Sequence, residues 1–140
     1  MRRYLCCSLI TLALTLGSSS SASGQAAHPR DETGVAEFNE PVKLLGVTLK
    51  GRYLFLHHAG MMQRGKPCLY VFALSDAHPG RFIISFHCIP ARSERIGQLT
   101  FKFSGGGEGP GLPEILEIQF AGSSESHKVP AADIAASVSH

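Results

Sequence analysis

The chain has no apolar run of the roughly 20 residues that a membrane-spanning helix needs. Its longest weakly polar to apolar stretch, 4–17, is 14 residues long. It has no Cys-x-x-Cys, which removes the usual signature of a thiol redox centre. It has no cluster of charge of one sign. Lys and Arg total 13, but two of these are Arg2 and Arg3, so eleven basic residues, scattered singly, face 11 acidic ones beyond the first few residues. A balance of zero leaves no electrostatic footprint for nucleic acid or for an anionic membrane surface. No segment carries a long apolar stripe of period 3.6, so a helical core is not expected. The glycine-rich stretch 105–111 lacks the Lys-Ser/Thr of a phosphate-binding loop and precedes a strand, so it is expected to be a connection.

What is present begins with a leader. Met1-Arg2-Arg3, the apolar run 4–17 and the small residues Ser18 to Gly24 have the three-part pattern of a secretory signal peptide. Residues 1–24 are therefore expected to be cleaved, and the product to be secreted or periplasmic. Cys6 and Cys7 lie within the apolar run and no Cys stands directly after the small-residue zone, where a lipoprotein is acylated, so neither a lipid anchor nor membrane insertion after cleavage is expected. Residues 25–38 are polar, with Pro29 and Gly34, and read as a flexible lead-in.

From residue 39 the chain alternates short runs of Val, Ile, Leu, Phe and Tyr with Gly and Pro, the pattern of an all-β domain over 39–130. About six antiparallel strands are expected, at 41–47, 52–58, 68–74, 82–89, 99–104 and 115–121. The turns between them fall at 50–51, 60–67, 76–80, 93–97 and 105–113. The last two strands alternate apolar with polar residues, whereas 69–74 and 82–84 are apolar on both faces. A small two-sheet sandwich or barrel accommodates both kinds. The tail 131–140 is rich in Ala and Ser and is expected to be loose.

Cys68 and Cys88 are the two cysteines beyond the leader, and an even pair in an oxidising compartment points to a disulfide. A hairpin centred on His78 sets Cys68 opposite Cys88, Tyr70 opposite Phe86, Phe72 opposite Ile84 and Leu74 opposite Phe82. Opposed residues in such a ladder lie about 4.5 or 5.5 Å apart at Cα, within reach of a disulfide.

The same meander brings His57, His58, Cys68, His87 and Cys88 to one end of the sheet, with Met61 and Met62 in the loop above. Imidazole, thioether and thiolate suit copper or zinc. Adjacent His57 and His58 point to opposite faces of a strand, so only one of them can join a site. A second candidate, a ligand loop, is Ser123, Ser124, Glu125 and His127, directly after a strand; local Ser-to-backbone bonds in a turn are the alternative there. The carboxylates are scattered and supply no paired acid and base.

Residues 64–71 and 84–90, with 118–130, resemble a group of small exported bacterial proteins of unknown function. The resemblance implies export and a bacterial origin, and brings no activity. The sequence thus leads to a non-catalytic binding or structural module without a cofactor. A periplasmic copper- or zinc-binding protein is the alternative, and a small hydrolase or thiol redox enzyme, for which no constellation is visible, comes third.

Overall fold

Residues 30–75, 78–105 and 111–131 are described by the computed structural model. The expected leader and all but Ala131 of the expected tail lie outside them. Eight strands form within the described residues: β1 (Glu32–Leu44), β2 (Val47–His57), β3 (Leu69–Ser75), β4 (His78–Phe86), β5 (Ile89–Arg92), β6 (Thr100–Ser104), β7 (Glu114–Gln119) and β8 (Glu125–Lys128). A 3-10 turn at Met62–Arg64 joins β2 to β3.

The strands make one continuous sheet in the order β4-β3-β2-β1-β7-β8-β5, with β6 paired to β7 outside that path. All pairings are antiparallel except the β1–β7 contact, where Lys43 meets Glu114. Of the sandwich or barrel expected from the sequence, the result is nearer the second: one curled all-β sheet, a half-barrel. Its curl has a local cause in β1, which is 13 residues long and shifts register against β2 between Phe38 and Val42. A bulge bends a strand and increases its twist. Gly51, paired with Phe38, supplies the left-handed φ of 97° that this irregularity needs.

Four sequence expectations are corrected by this arrangement. Residues 32–38 belong to β1 and not to a flexible lead-in. The residues that β1 turns inward there are Glu32, Gly34 and Ala36 before Phe38, so its alternation is invisible as hydrophobicity. The first hairpin turns at Leu45-Gly46, both with positive φ, while Lys50-Gly51 lies within β2. Two residues of positive φ make the tight turn whose twist matches the flanking strands.

The β3–β4 register also differs. Leu69 pairs with Phe86, Tyr70 with Ser85, Val71 with Ile84 and Phe72 with Phe82, with shifts on either side of Phe72. Pro79 brings no N–H to a ladder. Gly80 passes so close to Ala73 that a Cβ would lie 2.7 Å from its carbonyl oxygen. Both features favour the irregular pairing. Finally, Glu125 to Lys128 form β8, between β7 and β5, where a loop was expected.

The concave side of the sheet holds the core. Leu44, Leu49, Phe55, Leu69, Val71, Ile115 and Ile118 are fully buried. Phe101 packs against Phe55 and Phe38 with ring centroids 5.2 and 5.4 Å apart. At one end of this core the lining changes from apolar to polar.

Candidate metal site

Inward alternation along β2 buries Tyr53, Phe55 and then His57, its last residue. Glu32, the first residue of β1, is the cross-strand partner of His57. His127 sits in β8 opposite Ile118 and is fully buried. Cys88 follows β4 and is 1% exposed. Phe120, just after β7, closes the cluster, its ring 6.2 Å from that of His57 and 5.7 Å from that of His127.

Glu32 Oε2 is the common neighbour of the two imidazoles. His127 Nε2 is 2.9 Å from it and His57 Nδ1 is 3.1 Å from it. The His127 approach has hydrogen-bond geometry, so Nε2 donates to the carboxylate. The His57 approach does not: despite the short distance, Nδ1 is buried without a hydrogen-bond partner among the described residues. His57 is 5% exposed, and a buried polar atom left unpaired costs roughly 1–3 kcal/mol. The two rings are close, with centroids 3.9 Å apart. On its other side His127 turns Nδ1 to Cys88 Sγ, 3.6 Å away. One donor atom each from His57, Cys88 and His127 lie within 4.8 Å of one another.

His57 ionises at a pKa lowered to about 4, first because burial disfavours the imidazolium, then because His127 stands beside it; Glu32 opposes both. At neutral pH it is an uncharged base with a free lone pair, the form that binds a metal.

Cys68 and Cys88 form a disulfide, with Cα atoms 6.3 Å apart. It survives the register slip because Cys68 precedes β3 and Cys88 follows β4, where the Cys68 N–H donates to the Phe86 carbonyl oxygen at 3.2 Å. Cys88, His127 and Glu32 stand in the order of nucleophile, base and orienting group. With Cys88 bridged to Cys68 and both buried, this relay has neither a thiol nor access for a substrate. An open cavity of about 190 Å³ beside Thr48, Tyr53, Arg81 and Phe82 is lined by none of these groups.

Of the residues singled out in the sequence, the structure brings together His57, His127 and Cys88. His58 faces outward, as strand alternation requires, and its Nδ1 donates to Asp31 Oδ2 at 3.0 Å. That bond holds the Asp31 carboxyl below its usual range. His87 is not part of the cluster. Met62 opens the 3-10 turn and is 40% exposed, with Met61 as the residue before that turn. Ser123 and Ser124 stay in the turn before β8, where Ser123 Oγ accepts from the Glu125 N–H at 3.2 Å. Glu125 is exposed and its carboxylate lies 3.9 Å from His127 Nδ1. Glu32 escaped the sequence reading; its signal was a carboxylate at the inward phase of a strand whose other inward residues are small.

No family model, curated protein or solved structure matches this chain.

Proposed function

We propose that this domain is an exported metal-binding module whose ion, zinc or copper, is held by His57, His127 and Glu32. The observation that carries the reading is the unpartnered, buried His57 Nδ1 facing a carboxylate oxygen that His127 also faces. When Nδ1 carries the lone pair of the neutral imidazole, it and the carboxylate oxygen 3.1 Å away repel unless a cation stands between them. Tetrahedral zinc with bonds of about 2.0–2.2 Å sets its donors roughly 3.3–3.6 Å apart. The observed 2.9 and 3.1 Å need only a small expansion to reach that spacing. Two imidazoles and a carboxylate are a donor set that borderline ions accept. The Glu32 side chain is 19% exposed, so the cluster reaches solvent at the start of β1. Export is supported by the signal-like leader and by a buried disulfide, which fits an oxidising compartment.

Calorimetric titration of the oxidised, chelator-treated protein with zinc and with copper(II) tests this. One ion per chain is expected, with binding lost in His57→Ala and in the near-isosteric Glu32→Gln. His58→Ala, His87→Ala and Met62→Ala leave it unchanged. Absence of binding, or full binding by both Glu32→Gln and His57→Ala, sinks the proposal.

A second reading, a module that binds a protein partner, has its own observation. Val35, Leu54, Phe72 and Phe82 are cross-strand neighbours in a row over the convex face of β1 to β4, with Val35 and Phe82 half exposed. Exposed apolar rows of this kind mark contact surfaces. It is compatible with a metal at the other face.

A further inference from the structure

In the bridged protein His127 Nδ1 is fully buried against a sulfur that has no proton to give it. A thiolate at the same place changes the chemistry. With one nitrogen from each imidazole it forms a set of two nitrogens and one soft sulfur, all within 4.8 Å of one another, which suits tetrahedral zinc. Glu32, receiving the Nε2–H of His127, then stands where a carboxylate orients a metal-bound imidazole. The unpartnered His57 Nδ1, in a side chain 6% exposed, is an independent sign that the polar cluster lacks a group.

Topology adds a reason for Cys88 to be the variable ligand. Residues 87 and 88 connect β4 to β5, the strands at the two ends of the path β4-β3-β2-β1-β7-β8-β5. The disulfide ties this seam to the start of β3. An ion on His57, His127 and Cys88 ties the same seam to β2 and β8. Outer strands have one unpaired side and open more readily than central ones, which provides a route for a reductant to a buried bridge.

Building on the metal reading above, we propose that the Cys68–Cys88 disulfide and a zinc ion are alternative staples of this seam, Cys88 becoming a zinc ligand with His57 and His127 once a dithiol reductant opens the bridge. The reductant's first thiolate attacks one sulfur and its second thiol resolves the mixed disulfide. Two electrons and two protons pass to the protein, Cys68 and Cys88 are left as thiols, and the reductant leaves as a disulfide. Zinc binding then displaces the Cys88 proton to solvent. Glu32 changes from ligand to hydrogen-bond acceptor of His127.

Cobalt(II), a spectroscopic stand-in for zinc, tests both proposals in one series. The oxidised protein is expected to bind it with visible ligand-field bands and no sulfur-to-cobalt charge-transfer band. After reduction with a phosphine and its removal without air, the charge-transfer band appears at one cobalt per chain and disappears on adding zinc. Cys68→Ser, with Cys88 free, shows the band without any reductant, whereas reduced Cys88→Ser lacks it; circular dichroism establishes that both variants are folded. Glu32→Gln keeps the band and weakens cobalt binding by the reduced protein about 10- to 100-fold, as loss of a carboxylate behind a ligating histidine does. A protein that binds cobalt when oxidised but gains no sulfur band on reduction overturns the staple alone. Retention of the band in Cys88→Ser overturns it too, since Cys68 is then the ligand. Failure of the oxidised protein to bind cobalt overturns the His57, His127 and Glu32 reading instead.

Discussion

His57 is kept neutral by its position at the inward end of β2, and that neutrality has a thermodynamic consequence. Its pKa is lowered to about 4 in the metal-free folded chain, against about 6.5 for an unperturbed histidine. The unfolded chain therefore takes up a proton at a higher pH than the folded one. Stability is full above about pH 6.5 and declines as the pH falls toward 4, by at most about 3 kcal/mol. Chemical denaturation of the metal-free protein at pH 7 and pH 4.5 is expected to show a lower midpoint at the acid value, and the His57 imidazole resonances are expected to titrate near pH 4. A His57 midpoint at 6 or above contradicts the burial argument. At this scale part of the site was legible. Strand alternation separated His57 from His58 in advance, and the cysteine count gave the bridge. Glu32 was not legible, because Gly34 and Ala36 carry too little hydrophobicity to mark the inward face of β1.

Among the elements, β7 and β8 depend on one buried amide. Gln119 is 7% exposed, and its Oε1 accepts from Ser93 Oγ at 2.9 Å. Its Nε2 donates to the carbonyl oxygens of Glu94 and Ser123, at 2.6 and 3.0 Å. These bonds tie the loop after β5 to the turn that sets His127 in place. Gln119→Leu keeps the volume but leaves the partners unpaired, so a loss of about 1–3 kcal/mol is expected by urea denaturation. A change below about 0.5 kcal/mol means that water replaces the amide without cost. The alternation expected of β6 and β7 holds for Phe101, Ile118 and Phe120 only: a register shift between Lys102 and Phe103 leaves Phe103 and Leu116 exposed, while Ile115 and Gln119 are buried. Short β5 and β8 were not legible, since four residues such as Glu125-Ser126-His127-Lys128 contain no apolar period. The hairpin register was misjudged for a related reason. Several apolar residues in β3 and β4 occur consecutively, so two pairings one residue apart look equally good until Pro79 and Gly80 break the tie.

For the whole molecule, one curled sheet whose path ends on the free outer strands β4 and β5 explains why the disulfide matters. β4 and β5 have no strand partner on their outer sides within the described residues, and they follow each other directly in sequence. A domain of this size has a modest core, so a covalent link near the open seam is a large part of its stability. The bridge spans a sequence separation of 20. In the chain-entropy model, closing such a loop contributes about 3 kcal/mol, mainly by limiting the unfolded ensemble. Reduction of the wild-type protein, in chelator so that no ion replaces the bridge, is expected to lower the melting temperature by roughly 10–20 °C. Hydrogen exchange is expected to lose protection first in β4, β5 and β8, while β1, β2 and β7 stay protected. Uniform loss across all strands means that the bridge acts on the unfolded chain alone. Selective loss around the seam means that it also holds the half-barrel's edges together.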